Sequence, residues 1–221
     1  MTKEPGMRPH VIVIVLVLAL LAIGMTMFLV VTGMQPASVL KDGRVDPVVS
    51  MPDNPYSEMH IGEFTLVGRN GEPVTHAELD GRYTVVDFFF TSCPLWCPGM
   101  STAMARVQSE TSGTKARLMS ISIDGANDTP AIIDRYAGGY GADPARWKFA
   151  TGDPEVVAAL VREGLRFEIG DETRTPDGVR NIDHPTRLIL VGPDRRVVGL
   201  YRYDDPEEVE ALIALLKRLA P

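Results

Sequence analysis

The chain has 221 residues, 45% of them hydrophobic and 23% charged, with a net charge of -7 at pH 7. That acidic balance excludes the broad positive footprint on which nucleic-acid binding depends, and no nucleic-acid partner is expected. Only two cysteines occur, Cys93 and Cys97, and they share one Pro-flanked stretch, Phe90-Thr91-Ser92-Cys93-Pro94-Leu95-Trp96-Cys97-Pro98.

Residues 1–10 precede an apolar segment, 11–31, that carries no charge in 21 positions. At about 1.5 Å rise per residue it is long enough for a hydrocarbon core of roughly 30 Å. A cleaved signal peptide has a shorter apolar region, about 7–15 residues, ending in a small-residue cleavage site. Thr32-Gly33-Met34-Gln35-Pro36-Ala37-Ser38 does not supply such a site, so one uncleaved N-terminal transmembrane helix is expected. Lys3 and Arg8 outweigh Glu4 before the span. The positive-inside tendency then places 1–10 in the cytoplasm. The expected location is the cytoplasmic (inner) membrane, single-pass, with the C-terminal domain facing the periplasm or cell exterior, an oxidising compartment for a cysteine pair. Residues 32–60, with Pro36, Pro47, Pro52 and Pro55, read as a tether. Residues 61–221 are enough to bury one core.

Within 61–221, Phe64 to Val67 and Pro73-Val74 flank an Asn-Gly turn, which predicts a hairpin. Tyr83 to Phe90 is a nearly continuous apolar run, as in a strand buried on both faces. Pro98 to Gln108 fits a helix, Ala116 to Ile123 a strand, and Thr129-Pro130 an N-cap and first turn leading to Tyr136. Trp147 to Ala150 predicts a short strand and Pro154 to Glu163 a helix. Gly170 to Ile182 is polar and reads as a loop or loose hairpin. Thr186 to Val191 and Arg196 to Tyr203 form a second hairpin around Gly192-Pro193-Asp194, and Pro206 to Leu219 closes the chain as an amphipathic helix. Alternating strands and helices predict an α/β domain of three layers with a central mixed β-sheet. Cysteines at the first strand–helix junction narrow this to a thioredoxin-like fold.

The spacing Cys93-x-x-x-Cys97 puts Cys97 in the first helical turn and Cys93 in the loop before it. A helix N-terminus lowers thiol pKa through its free N–H groups and dipole. Sulfurs so placed can close a disulfide or clamp one soft metal ion; a static disulfide or two inert buried thiols is the plainer alternative. Two thiolates with an imidazole suit copper, whereas zinc normally takes a fourth ligand. His184, in Asp183-His184-Pro185-Thr186, precedes the apolar run Leu188 to Val191. Alone it reads as a packed or capping residue, but in a thioredoxin-like fold the loop entering this late strand lies against the cysteine loop. Pro185 occupies the place where that loop carries a cis-proline, and a cis bond is expected there. Asp124 and Asp128, on the same sheet edge as the cysteines, read chiefly as turn and helix-capping residues, with partner or site contact as the alternative. Met100 and Met104 read as core rather than as copper ligands. His10, His60 and His76 receive no role, and Trp96 is either buried or an exposed docking surface.

From about Ile61 onward the chain resembles the Sco/SenC family of membrane-anchored copper chaperones. The resemblance rests on Gly81-Arg82-Tyr83, Cys93-Pro94-x-x-Cys97-Pro98, Ser122-Ile123-Asp124 with Asp128-Thr129-Pro130, and Asp183-His184 before a strand ending in Gly192-Pro193-Asp194. It implies a copper ion held by Cys93, Cys97 and His184, and delivery of copper to, or reduction of the cysteines of, the dinuclear centre in cytochrome c oxidase subunit II. Trp96, Gly125-Ala126-Asn127 and Pro185 depart from the family's usual residues. The alternative function is an extracytoplasmic thiol–disulfide oxidoreductase with Cys93 and Cys97 as its redox-active, disulfide-capable thiols, an exposed one attacking the client. Peroxide reduction is disfavoured, because Thr91 lies only two residues before Cys93 and no Thr-x-x-Cys context exists.

Overall fold

A computed structural model describes residues 54–174, 178 and 180–221. The expected N-terminus 1–10, the expected anchor 11–31 and most of the expected tether lie outside the described residues. Among the described residues no helix is long and apolar enough to cross a membrane. Residues 54–60 are hydrogen-bonded onto the domain: Asn54 Nδ2 donates to the Val197 carbonyl at 2.8 Å, and Val197 N to the Met59 carbonyl at 2.9 Å. His60 N donates to the Gly164 carbonyl at 2.9 Å, an approach so close that a Cβ on Gly164 would sit 2.2 Å from the His60 oxygen.

The elements follow the hydrophobic pattern closely. They are β1 (Thr65–Gly68), β2 (Pro73–Thr75), a 3-10 turn (His76–Glu78), β3 (Thr84–Phe89), α1 (Cys97–Glu110), β4 (Arg117–Ser122), α2 (Pro130–Gly139) and β5 (Trp147–Thr151). There follow α3 (Pro154–Ala159), β6 (Glu172–Arg174), β7 (Arg180–Ile182), β8 (Arg187–Val191), β9 (Val197–Arg202) and α4 (Pro206–Leu219). The helix expected to reach Glu163 is α-helical only to Ala159 and then widens into a π turn, Leu160–Gly164, that ends at the close Gly164–His60 crossing. The polar stretch 170–182 forms a hairpin, β6 against β7.

Seven strands form one mixed sheet in the order β2-β1-β5-β4-β3-β8-β9. β3, β4 and β5 are parallel, and β8 runs antiparallel to β3. All six residues of β3 are buried, so protein covers both of its faces. The connections β3–α1–β4 and β4–α2–β5 step the same way across the sheet, and right-handed crossovers therefore put α1 and α2 on one face. Phe89 stacks on Tyr136 of α2 with ring centroids 5.0 Å apart, and the Tyr136 hydroxyl meets Ser101 Oγ of α1 at 2.8 Å. α4 packs on β9 and α1. Asp205 caps it by accepting from the Glu207 and Glu208 amides, acidic residues open it and Lys217 and Arg218 close it, in keeping with the helix dipole. Val209, Leu212, Ile213 and Leu216 form its buried stripe.

One polar group breaks the apolar run of β3. Asp87 is fully buried on the face shared with Phe89. Trp147 Nε1 donates to Ser120 Oγ at 2.9 Å, and Ser120 Oγ donates to Asp87 Oδ1 at 2.5 Å. Asp87 Oδ2 has no hydrogen-bond partner among the described residues. Burial pushes the Asp87 carboxyl up to about 7, against smaller lowering effects from Ser120 and His184. Between about pH 4 and 7 the folded chain thus keeps a proton that the unfolded chain has lost. This site contributes stability below that window, and the contribution disappears as pH rises through it. Asp87→Asn is expected to remove this slope and to stabilise the chain at pH 8 by on the order of 2–4 kcal/mol relative to wild type. Urea unfolding of both proteins at pH 5 and pH 8 measures the effect, and parallel pH responses would refute it.

Candidate metal centre

The cysteine loop leaves the end of β3 and is held by a buried carboxylate from the next crossover. Asp128 accepts from Thr91 N at 3.0 Å, from Thr91 Oγ1 at 2.5 Å and from Ser122 Oγ at 2.6 Å. A turn or helix-capping role was the favoured sequence expectation for this residue, with contact to the site as the alternative. The structure corrects it: Asp128 is consumed by the cysteine loop, and Thr129 at the N-cap makes no side-chain cap bond. Asp124, also expected as a turn or cap residue, accepts from Asn127 Nδ2 at 2.9 Å and from Arg180 at 2.5 Å. Cys93 N donates to the Phe90 carbonyl at 3.2 Å, closing the turn, and α1 then begins at Cys97 with Pro98 in its first turn. Met100 and Met104 face the core and are fully buried, as their spacing suggested. Leu95 and Trp96, 43% and 48% exposed, stand outside, so Trp96 is not buried.

The third donor arrives from the other side. Antiparallel pairing of β3 with β8 brings the residues before β8 beside the residues after β3. Phe90 therefore meets the His184 ring edge-to-face at 5.8 Å, and His184 Nε2 lies 3.7 Å from Cys97 Sγ. One ligand atom from each of Cys93, Cys97 and His184 lies within 4.8 Å of the other two. All three residues are buried, at 5%, 0% and 5% exposure. His184 Nδ1 sits 3.1 Å from the Pro185 carbonyl. That carbonyl can only accept, which assigns the ring proton to Nδ1 and leaves the Nε2 lone pair directed at the sulfurs. The cis bond expected at Pro185 is not there: no cis peptide occurs among the described residues, and the trans chain presents the carbonyl that orients the imidazole.

The two thiols are free and split in acidity. A hydrogen bond from Cys97 lowers the Cys93 thiol to about 3, with burial opposing and with backbone groups at Cys97 and Leu95 assisting. Cys97 moves the other way, raised by its role as partner to Cys93, by burial, and by the charges of Cys93 and Asp87. The helix N-terminus was expected to favour both thiolates. In the folded chain the pair shares one proton, so stabilising one thiolate opposes the second. Cys93 is the first thiolate, although its 5% exposure differs from the exposed attacking thiol expected for an oxidoreductase.

Two residues that act on this cluster escaped sequence reading. Asp87 had a signal, a lone charge within an apolar strand. Arg180 had none, being one cation in a polar loop. Because Cys93 stays ionised far below an ordinary thiol, its alkylation by iodoacetamide should hardly change between pH 6 and 8, whereas an unperturbed thiol loses about tenfold per unit. Mass spectrometry of the quenched, digested chain resolves the two sites, and preferential labelling of Cys97 would contradict the assignment.

The chain matches the SCO1/SenC family over residues 52–220. It is 29% identical over 153 residues to the SCO1 protein homolog of Bacillus subtilis strain 168, covering 66% of this chain and 78% of that protein. Its fold is similar to that of Bradyrhizobium japonicum ScoI with copper bound, at 28% identity and TM-score 0.58 over 72% of this chain and 99% of that one. It is likewise similar to BsSco, described as a member of the Sco family of cytochrome c oxidase assembly proteins with a disulfide switch, at 25% identity and TM-score 0.62 over 73% of this chain and 94% of that one. With a family match extending from residue 52 to residue 220, and a thioredoxin-like mixed sheet that brings two cysteines and a histidine together, this chain belongs to the SCO1/SenC family.

Proposed function

We propose that this chain is a membrane-anchored copper chaperone that binds one copper ion through Cys93, Cys97 and His184 and serves assembly of the copper centre of cytochrome c oxidase. The observation that carries this reading is the convergence of two sulfurs and one imidazole nitrogen within 4.8 Å. Such a set is soft and three-coordinate, which suits Cu(I) and leaves zinc one ligand short. The similar Bradyrhizobium structure holds copper, and the similar BsSco is described as an oxidase assembly protein. The acceptor is subunit II of the oxidase or another extracytoplasmic copper or thiol client. Segment 11–31 anchors the chain in the cytoplasmic membrane, with 61–221 on the outer side. Transfer proceeds by stepwise ligand exchange. His184 leaves first, since it belongs to a different chain segment from the paired thiolates.

The acidity split supports a second reading, thiol–disulfide exchange. The Cys93 thiolate attacks a client disulfide, the client's leaving sulfur departs as a thiolate, and Cys97 loses its proton and displaces the second client sulfur. The chain's two thiols end as a disulfide and the client's disulfide as two thiols. Both activities use the same reduced pair.

Titration of the reduced chain with Cu(I) is expected to saturate at one equivalent. His184→Ala, which removes a ligand outright, should lower the affinity by at least the roughly 10–100-fold typical of losing an outer-shell partner and leave thiol-driven reduction of a small aromatic disulfide within about twofold, since that step needs only the two sulfurs. A chain that takes up no Cu(I) with both thiols verified free would eliminate the copper reading, while an unchanged affinity in His184→Ala would remove His184 from the site.

A further inference from the structure

The β6–β7 hairpin lies just before His184, and one side chain fastens it to the cysteine loop. Arg180, on β7, donates from a guanidinium terminal nitrogen to Asp124 Oδ2 at 2.5 Å and to Ser92 Oγ at 3.2 Å. Its Nε lies 2.8 Å from Glu172 Oε2 on β6. The guanidinium carbon sits 5.7 Å from the centroid of Phe90, the ring that meets His184 edge-to-face. Three separate segments thus converge on one cation: the stretch Phe90–Ser92 between β3 and Cys93, the loop that follows β4, and β6. Arg180 is 19% exposed and Asp124 5%, so this contact is shielded from solvent, whereas Glu172 is 45% exposed and screened. Beyond Arg180 the chain runs only to Ile182, still paired with Glu172, and to Asp183, whose carbonyl accepts from Gly170 N at 2.8 Å, before reaching His184. The planar fork of an arginine is what allows one residue to hold Ser92, Asp124 and Glu172 together; a lysine ammonium offers a single point of attachment.

We propose that Arg180 is a positioning residue, a latch that fixes the His184 segment against the cysteine loop, and that opening this latch sets the rate at which the histidine is withdrawn from a bound copper ion. The latch rests on the copper reading above for its consequence, though not for its existence. Closed, it holds His184 Nε2 at the sulfurs before any ion arrives, so binding requires no loop ordering. Open, it leaves a two-thiolate site from which an acceptor can take the ion. A partner able to compete for Asp124, by offering its own cation, would open it.

The test has two arms on the full-length reduced chain. In hydrogen–deuterium exchange without metal, Arg180→Gln should raise exchange of the 180–184 and 186 amides by about tenfold or more, the effect of losing hydrogen bonds to a charged partner. In the second arm Cu(I) is preloaded and its transfer to excess bicinchoninate is followed. Arg180→Gln should accelerate transfer by about tenfold, Arg180→Lys by less. In a His184→Ala background Arg180→Gln should add nothing, because the latch acts through the histidine. The exposed Glu172→Gln variant, which leaves the buried Asp124 contact intact, should shift both readouts in the same direction by a smaller factor and decides the matter if Arg180→Gln does not fold. Unchanged exchange in a folded variant, or equal acceleration with and without His184, overturns the proposal. If the wild-type chain takes up no Cu(I), the copper reading fails and the exchange arm alone judges the latch.

Discussion

The site depends on the antiparallel register of β3 with β8. Val86 opposes Ile189 and Thr84 opposes Val191, so the C-terminal end of β3 lies beside the N-terminal end of β8. This pairing brings together Cys97 and His184, 87 positions apart in sequence. A slip of one residue would turn every side chain of β8 to the opposite face. A slip of two would keep the faces but displace the strand by about 6.8 Å, more than the 4.8 Å within which the three ligand atoms lie. No adjustment of rotamers covers that distance. Register, which the buried residues of both strands enforce, is therefore what fixes the ligand set.

Sheet register sets the site's location and polar clamps set its precision. The loop carrying Cys93 and Pro94 has little regular structure of its own. It is held by Asp128 beneath Thr91 and by Arg180 beside Ser92. Asp124 and Asp128 are both buried, at 5% and 1% exposure, and burying a carboxylate is costly unless its oxygens are filled. They are filled here by groups from the elements whose relative position matters, so releasing the loop would expose or orphan a charge. The cost of orphaning a buried carboxylate thus keeps the loop in place, and the arrangement is ready before an ion binds.

The backbone was largely legible in the sequence because its signals are local. Tyr83 to Phe90 reads as a fully buried strand from its apolar run, and Pro206 to Leu219 reads as an amphipathic helix from its apolar spacing. The cysteines are legible by residue type. His184 is legible only through a fold, since nothing within ten residues of it points to a metal. What remained hidden is long-range or cooperative. The proton shared by Cys93 and Cys97 depends on which sulfur donates to which, a property of the pair and not of the helix start. Arg180 looks like any loop cation until β6 and β7 pair. Asp128 read as a turn or capping residue, and only the folded loop shows that Thr91 and Ser122 claim its carboxylate. The expectation of a cis bond at Pro185 carried a habit of the thioredoxin-like fold onto a residue whose carbonyl here has a different task.

The charges around the cysteines make one cluster chemically capable of both metal binding and redox chemistry. Cys93 is readily ionised, but ionising Cys97 as well would bury a second negative charge beside the first and near Asp87. In a site this enclosed, both thiolates persist only if something positive replaces the proton that Cys97 holds. A bound cation does this directly, and its affinity must then fall at lower pH, where it competes with that proton. Disulfide formation is the other way to relieve the same repulsion, since it removes both charges by removing two electrons. The two outcomes exclude each other, because a disulfide sulfur is no longer a thiolate ligand. His184 contributes no compensating charge while neutral, so it adds to the metal-bound state without favouring the disulfide. The histidine, and whatever holds it in place, is thus the part of the site that biases an otherwise ambivalent thiol pair toward the ion.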